Sequence, residues 1–269
     1  MDQAARLREL ARRGRNRSFA VLSGKGGVGK TNLSLALALT AQQAGYSTVL
    51  WDADFGLGNC DVLLDVSPRG TSLDVLCGNW SLDDALTPCA GGLTLLAAPS
   101  GVHDNLWKNQ EGRLKAKRLF EELGRRYEVV VVDAPAGVGD VVVSVGLWAD
   151  TVLLATSPEV PAVADAYATV KVIAHAGRRS GIGLVVNLAA APGEAEKIGA
   201  RIAHVAERFV GARVSLLGWI PADSHVPLAV SRRRPFTLAF PECPASLAVR
   251  RLWERIAEQS PVGSAALSK

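Results

Sequence analysis

The 269-residue sequence is poor in the residues that several protein classes depend on. Aromatic residues make up 6% of the chain, and the cysteines are far apart, with no CxxC pair for zinc or redox chemistry. The longest apolar stretch, residues 141–149, is much shorter than the ~18 residues of a membrane-spanning helix. The charged N-terminus also lacks the apolar segment of a signal peptide. Disulfide scaffolds and membrane-spanning proteins are excluded, and we expect a cytoplasmic protein. Its cysteines, expected to be small buried residues, are Cys60, Cys77, Cys89 and Cys243.

Positive charge is concentrated in two places, although the net charge is only +4. Residues 1–17 contain six arginines and two acidic residues, and a second cluster is formed by Arg232, Arg233 and Arg234. Such patches are found on surfaces that meet nucleic acid, anionic lipid or acidic partners, and also on plain solvated faces. Charge alone does not choose among these possibilities.

Hydrophobic residues are abundant, at 48% of the chain, and they occur in short runs separated by helical patterns. Strands that are apolar on both faces and are joined by helices require a sheet that is covered on both sides. We therefore predict an α/β fold with a doubly wound, mostly parallel sheet and helices on both faces. The predicted strands are 19–23, 47–54, 93–100, 128–135, 151–159, 183–187 and 214–221, and the predicted helices are 31–45, 109–126, 160–176 and 193–209. The predicted organisation is a leader over residues 1–17, one domain over 18–258 and a tail over 259–269.

A phosphate-binding loop lies between the first predicted strand and helix. The pattern Gly24-x4-Gly29-Lys30-Thr31 is that of a P-loop, and its strand–turn–helix context is the required one. Its glycines allow backbone N–H groups to surround phosphate, Lys30 neutralises phosphate charge, and the Thr31 hydroxyl faces Mg²⁺. The predicted nucleotide contacts in this loop are Gly24, Lys25, Gly26, Gly27, Val28, Gly29, Lys30, Thr31 and Asn32.

Three aspartates follow neighbouring predicted strands. Asp52 and Asp54 end the second strand, and Asp133 ends a run of four valines. Ligands in open α/β sheets bind at the carboxyl ends of strands, where these carboxylates would lie beside the P-loop. Each aspartate could instead form a turn or cap a helix, but three of them beside one P-loop favour a catalytic and metal-binding role.

The loop SGKGGVGKT, with Lys25 after its first glycine, resembles the deviant Walker A motif of the MinD/ParA (SIMIBI-class) ATPases. The resemblance implies ATP and Mg²⁺ as cofactors and an ATP-dependent homodimer in which Lys25 reaches the partner's phosphates. It also implies that Lys25, Lys30 and Asp54 are catalytic, with Asp54 orienting the attacking water. Thr31, Asp52 and Asp133 would serve the metal ion.

The family's adenine-binding positions also have counterparts. Asn187 ends the strand at 183–187, and the segment from Pro221 to Asp223 follows the last strand. The resemblance implies that the Asn187 side chain and the backbone around Pro221 and Asp223 hold adenine. The run after Asn187 is Leu-Ala-Ala-Ala, where the family often has an arginine or a bulky residue, so the resemblance supports further adenine contacts less well.

Within the family, three segments resemble the branch of flagellar number and placement regulators, the FlhG (FleN) type. These segments are DQAARLREL at residues 2–10, SPEVPAVADAYATVK at 157–171 and DVLLDVSPRGTSLDVL at 61–76. In that branch the leader glutamine, here Gln3, stimulates an SRP-type GTPase, FlhF. The branch also implies a flagellar transcription factor or a switch (C-ring) component as a partner and a transient place at the inner membrane or cell pole. DNA is not expected to be a partner.

Other interpretations stay open at the level of sequence. A MinD-type division-site regulator, a ParA-type partition ATPase, a metal-cluster carrier or a scaffold that binds ATP without hydrolysis would share the P-loop. The amphipathic segment 247–258 fits either a membrane surface or a last core helix, and we favour the core.

Overall fold

The computed structural model describes residues 17–99 and 106–258. Its centre is one eight-stranded sheet with the strand order β3-β4-β2-β5-β1-β6-β7-β8. The strands are β1 (Arg17–Ser23), β2 (Thr48–Asp52), β3 (Leu86–Pro88), β4 (Thr94–Leu96), β5 (Val129–Ala136), β6 (Thr151–Thr156), β7 (Ile182–Ala189) and β8 (Val214–Pro221). All neighbouring pairs are parallel except β3 and β4, which are antiparallel. The predicted fold class is confirmed.

Helices cover both faces of this sheet. They are α1 (Lys30–Gln43), α2 (Cys60–Leu64), α3 (Ser72–Cys77), α4 (Leu82–Ala85), α5 (Gln110–Arg126), α6 (Asp140–Trp148), α7 (Val160–His175), α8 (Pro192–Val210), α9 (His225–Ser231), α10 (Phe236–Ala239) and α11 (Pro244–Glu258). Two separate apolar clusters result, one between the sheet and α5–α8 and the other between the sheet and α1 with α9–α11. The central strands are apolar on both faces because each face lies under one of these layers.

The last helix, α11, packs as a core helix. Its apolar stripe is buried, and the Trp253 ring makes edge contacts with the rings of Phe19 and Tyr46. This burial is the packing role that the sequence favoured for residues 247–258. In the part of the chain that the structure describes, no helix has the length and apolarity needed to cross a membrane.

The structure contains several short elements that differ from the prediction or were not predicted. The strand predicted over 93–100 spans only Thr94–Leu96, and the short strand β3 was not predicted. The helices α2, α3, α4, α6, α9 and α10 were also missed. Segments of four to seven residues are too short to show a helical period, and α6 is too apolar throughout to show a polar face. The prediction of buried cysteines is right for Cys60 and Cys243 and wrong for Cys77, which is exposed at the end of α3. Cys89 is only half-buried.

The predicted leader and tail lie almost wholly outside the described residues. Only Arg17 of the leader is described, and it begins β1 through a hydrogen bond from its N–H to the Glu128 carbonyl, at 2.8 Å. Gln3 and the tail over 259–269 fall outside the described part of the chain.

Candidate functional site

The P-loop connects the end of β1 to the start of α1, at the carboxyl edge of the sheet. Gly27 and Gly29 both have φ +83°, a left-handed conformation that side-chain-bearing residues rarely adopt. A Cβ at Gly24 would overlap the backbone carbonyl of Asp165 on α7, and one at Gly29 would overlap the Asn187 side-chain amide. Backbone conformation and space therefore both require glycine here, and the turn leads directly into the amino end of α1, where N–H groups favour anions.

A buried ion pair joins this loop to the centre of the sheet. The Lys30 ammonium lies 2.7 Å from Asp133 Oδ1, and the side chains are only 8% and 1% exposed. The Ser34 hydroxyl, one turn after Lys30, donates to the same oxygen at 2.7 Å. The structure thus brings together two predicted site residues from elements that are 103 residues apart in sequence.

The second buried carboxylate, that of Asp52, lies beside the first. Asp52 and Asp133 are register partners on β2 and β5, so their strands place them side by side. Burial, and next the charge of Asp133, raises the pKa of Asp52 to about 7, although N–H groups of Asp54 and Cys60 lower it by hydrogen bonding. The neighbouring charge of Asp133 thus disfavours ionisation of Asp52.

Cys60 completes this buried cluster. Its thiol sulfur is 3.8 Å from Asp133 Oδ2, and its backbone N–H donates to Asp52 Oδ2 at 3.2 Å. Burial raises the pKa of the Cys60 thiol well above its usual value, so the thiol is a neutral donor. Ligand atoms of Asp52, Cys60 and Asp133 all lie within 4.8 Å of one another, and a divalent cation near them would favour both ionised carboxylates. The donor set of the two carboxylates fits Mg²⁺, which prefers oxygen ligands.

Asp54 lies on a tight turn that leaves the sheet after β2. Its Oδ1 accepts the Leu57 N–H at 3.0 Å, and its carbonyl accepts the Gly58 N–H at 2.7 Å. A Cβ at Gly58 would come within 3.0 Å of the Asp52 carboxylate and closer still to the Ala98 side chain. The half-buried Asp54 side chain is therefore held at the rim of the site rather than in its buried centre.

Lys25 has a partner within its own chain. Its ammonium lies 2.8 Å from Glu159 Oε2 at the start of α7, and both side chains remain substantially exposed, at 41% and 65%. A hydrogen bond to Glu159 and the charge of that residue raise the pKa of Lys25. Lys25 therefore lies at the surface of the loop, while Lys30 lies inside it.

An apolar cavity of about 370 Å³ adjoins the P-loop between β8 and the helices α9 and α10. Asn187 lines it and donates to the Val28 carbonyl at 2.8 Å, which ties β7 to the loop. Pro221 also lines it. The remaining lining residues are Gly27, Gly29, Asn32, Leu33, Leu188, Ile220, Val226, Pro227, Val230, Ser231 and Phe236.

The Asp223 carboxylate points elsewhere, and Asp223 does not line this cavity. Its Oδ2 accepts the Ala245 N–H at 3.0 Å and its Oδ1 accepts the His225 N–H at 3.0 Å. Of the adenine positions implied by the resemblance, Asn187 and Pro221 thus line the cavity, and the Asp223 side chain instead joins the first turns of α9 and α11.

Sequence reasoning missed several residues of this site. Ser34 follows Lys30 by four residues, and this helical spacing was the available signal. Cys60 and Glu159 gave no comparable signal, because their contacts with Asp133 and Lys25 exist only in the folded chain. The apolar wall formed by α9 and α10 had no sequence pattern that linked it to the P-loop.

Comparison with known proteins gives a consistent picture. A family model described as the CobQ/CobB/MinD/ParA nucleotide binding domain matches residues 19–236. Antiactivator FleN of Pseudomonas aeruginosa is 36% identical over 238 residues, which cover 88% of this chain and 85% of the relative. Flagellum site-determining protein YlxH of Helicobacter pylori is 30% identical over 225 residues, which cover 82% of this chain and 75% of the relative. The solved structure of the cell division ATPase MinD of Pyrococcus furiosus has a TM-score of 0.73 and 26% identity, covering 91% of this chain and 100% of that one.

Proposed function

We propose that this chain, which belongs to the CobQ/CobB/MinD/ParA family of nucleotide-binding domains, is an ATP-dependent, dimerising regulator of flagellar number or placement. The observation that carries the proposal is the buried pair of Lys30 and Asp133, placed between a glycine-rich anion loop and the Asp52 carboxylate. That arrangement suits charge neutralisation at a phosphoryl group. The flagellar part rests on the leader resemblance and on the relatives FleN and YlxH.

The chain's own residues would divide nucleotide binding between two regions. The N–H groups of the P-loop and the Lys30 ammonium would bind the phosphates, and the cavity beside Asn187 would take the adenine ring. Thr31, Asp52 and Asp133 would hold Mg²⁺, which supplies positive charge at the phosphates when bound. The raised pKa of Asp52 is consistent with a site that accepts a cation.

Hydrolysis would depend on residues at the rim of the site. The Asp54 carboxylate would accept a hydrogen bond from the attacking water and orient it in line with the terminal phosphate. The Lys25 ammonium would leave Glu159 and approach the phosphates of a second subunit, as an arginine finger does in trans. ATP would thus favour the closed dimer, and hydrolysis would reopen it.

The dimer and Asp54 can be tested together by analytical ultracentrifugation. We expect the wild-type chain to dimerise with ATP and Mg²⁺ but not with ADP, and Asp54→Ala to keep the dimer because water activation is lost. Asp61→Ala, on the next helix, is the matched control and should behave as wild type. Lys25→Ala should abolish dimer-dependent hydrolysis and keep most nucleotide binding, because Lys30 and the loop amides remain. A monomeric Asp54→Ala protein with ATP would refute the dimer mechanism.

The partner part of the proposal rests on the leader. Gln3 of residues 1–17 would enter the active site of an SRP-type GTPase of the FlhF kind and orient its hydrolytic water. A peptide of residues 1–17 should accelerate GTP turnover by that GTPase, and the Gln3→Ala peptide should not. The full-length Gln3→Ala chain should keep its own ATPase and dimerisation.

This assay separates the proposal from its alternatives. Equal acceleration by both peptides, or none, would remove the flagellar partner and return the chain to the general MinD/ParA-like class. A MinD-type division-site role or a ParA-type partition role would then have to be tested, the latter by DNA binding with a steep salt dependence. A flagellar transcription factor or a switch component is the further partner expected in the flagellar case.

A further inference from the structure

A second cluster of metal-ligating side chains lies outside the phosphate site. Asp223 follows β8, His225 begins α9, and Cys243 immediately precedes α11. A carboxylate oxygen, an imidazole nitrogen and the thiol sulfur of these residues all lie within 4.8 Å of one another. Three chain segments that are up to 20 residues apart therefore meet at one point.

We propose that Asp223, His225 and Cys243 form a three-ligand site for Zn²⁺, with water as the fourth ligand. A thiolate, an imidazole and a carboxylate are the donor types that zinc accepts, and Mg²⁺ prefers oxygen alone. In a tetrahedral site with zinc–ligand distances of about 2.0–2.3 Å, the ligand atoms are roughly 3.3–3.8 Å apart. The observed cluster needs only small side-chain movements to reach those separations.

Surrounding contacts hold the three ligands in place. The Asp223 side chain is 4% exposed and accepts N–H groups from Ala245 and His225, each at 3.0 Å. The His225 ring packs against Phe240 with ring centroids 4.8 Å apart, and the Cys243 sulfur lies 3.2 Å from Ser246 Oγ. Ligands that are already oriented lose little conformational entropy on binding a metal.

Solvent can reach the proposed zinc site, and a hydrogen bond between two of the ligands would compete with the metal. The His225 side chain is 45% exposed, which leaves an approach from solvent and room for a water ligand. His225 Nδ1 lies 2.7 Å from Asp223 Oδ1, within hydrogen-bond distance. Bound zinc would replace this hydrogen bond. This hydrogen bond holds His225 and Asp223 together when no metal is bound.

Metal binding at this position would affect the cavity beside the P-loop. Val226, Val230 and Phe236 belong to the segment between His225 and Cys243, and they line the cavity beside the P-loop. A metal that joins the two ends of this segment would restrain the wall of that cavity. Zinc should therefore stabilise the fold, as a ligand that binds only the native state does.

The test is a Co²⁺ titration of the full-length chain without nucleotide, followed by Zn²⁺ competition. We expect one thiolate-bound Co²⁺ per chain, with a sulfur-to-cobalt charge-transfer band in the near ultraviolet and visible bands typical of tetrahedral geometry. Zn²⁺ should displace the cobalt, because zinc binds such sites more tightly. Cys243→Ser should remove the charge-transfer band, and His225→Ala should weaken binding roughly 100-fold, since even outer-sphere changes cost 10–100-fold.

Two cysteine variants act as controls for other thiols. Cys77→Ser removes an exposed thiol far from the cluster, and Cys60→Ser removes the thiol beside Asp52 and Asp133. Both should keep the band. Zinc should also raise the melting temperature of wild type and not that of His225→Ala.

Several results would overturn the proposal. These are no charge-transfer band at millimolar Co²⁺, a band that survives Cys243→Ser, or a band lost in Cys60→Ser. Circular dichroism will show whether Cys243→Ser folds. If it does not, His225→Ala tests the proposal instead. Unchanged Co²⁺ affinity in His225→Ala would show that the cluster is only a hydrogen-bonded junction. None of these results tests the catalytic residues of the proposed ATPase cycle, which are Lys25, Lys30 and Asp54.

Discussion

Asp133→Asn should strongly destabilise the nucleotide-free protein, because it leaves the buried Lys30 ammonium without its counter-charge. Lys30 and Asp133 are 8% and 1% exposed and 2.7 Å apart, so water cannot replace the lost carboxylate. Breaking a buried pair by removing one partner costs about 3–5 kcal/mol. The Ser34 hydroxyl can still donate to the new amide oxygen, so we expect the lower half of that range. Typical domains are stable by only about 5–15 kcal/mol, which makes this a large fraction of the total.

Urea unfolding without nucleotide, followed by far-ultraviolet circular dichroism, measures this loss. The double variant Lys30→Met with Asp133→Asn should be less destabilised than Asp133→Asn alone, because the unpaired charge is gone. Glu159→Gln breaks the exposed pair with Lys25 and is the matched control, expected to change stability little because solvent screens that pair. A loss below ~1 kcal/mol for Asp133→Asn, or additive effects in the double variant, would mean that solvent reaches the pair and that this reasoning is wrong.

Three further predictions concern other contacts. Glu159→Gln should increase ATP-dependent dimerisation in sedimentation assays, because it frees Lys25, and an unchanged dimer fraction would count against a restraining role for this pair. Gly24→Ala should weaken nucleotide binding measured by calorimetry, since its Cβ would overlap the Asp165 carbonyl, and wild-type affinity would contradict the tight packing of the loop. Arg178→Ala should destabilise the fold by roughly 2–4 kcal/mol in urea unfolding, because the Arg178 guanidinium donates to five backbone carbonyls. Arg178→Lys should fail to restore stability, since lysine lacks the planar guanidinium with its several N–H donors.

Much of the fold and of the phosphate site could be predicted from the sequence, because local patterns determine them. Apolar runs such as residues 129–132, rich in β-branched valine, favour strands covered on both faces, and the spacing from Gly24 to Thr31 identifies the phosphate loop. The carboxyl ends of parallel strands share one edge of the sheet, so Asp52 and Asp133 were expected near that loop. These features depend on residues that are close in sequence or on a general rule of sheet topology.

Long-range contacts were decided by tertiary structure alone. The sequence did not indicate that Glu159 would pair with Lys25, that Cys60 would join the buried carboxylates, or that the Asp223 side chain would turn away from the cavity. Each of these contacts depends on where a loop leaves the sheet and on how the next helix packs. The periodicity of the local sequence does not contain this information. Sites built from residues close in sequence, such as the phosphate loop, can be predicted from the sequence. Contacts between residues far apart in sequence require the fold, because the burial and ionisation of a side chain depend on the residues packed around it.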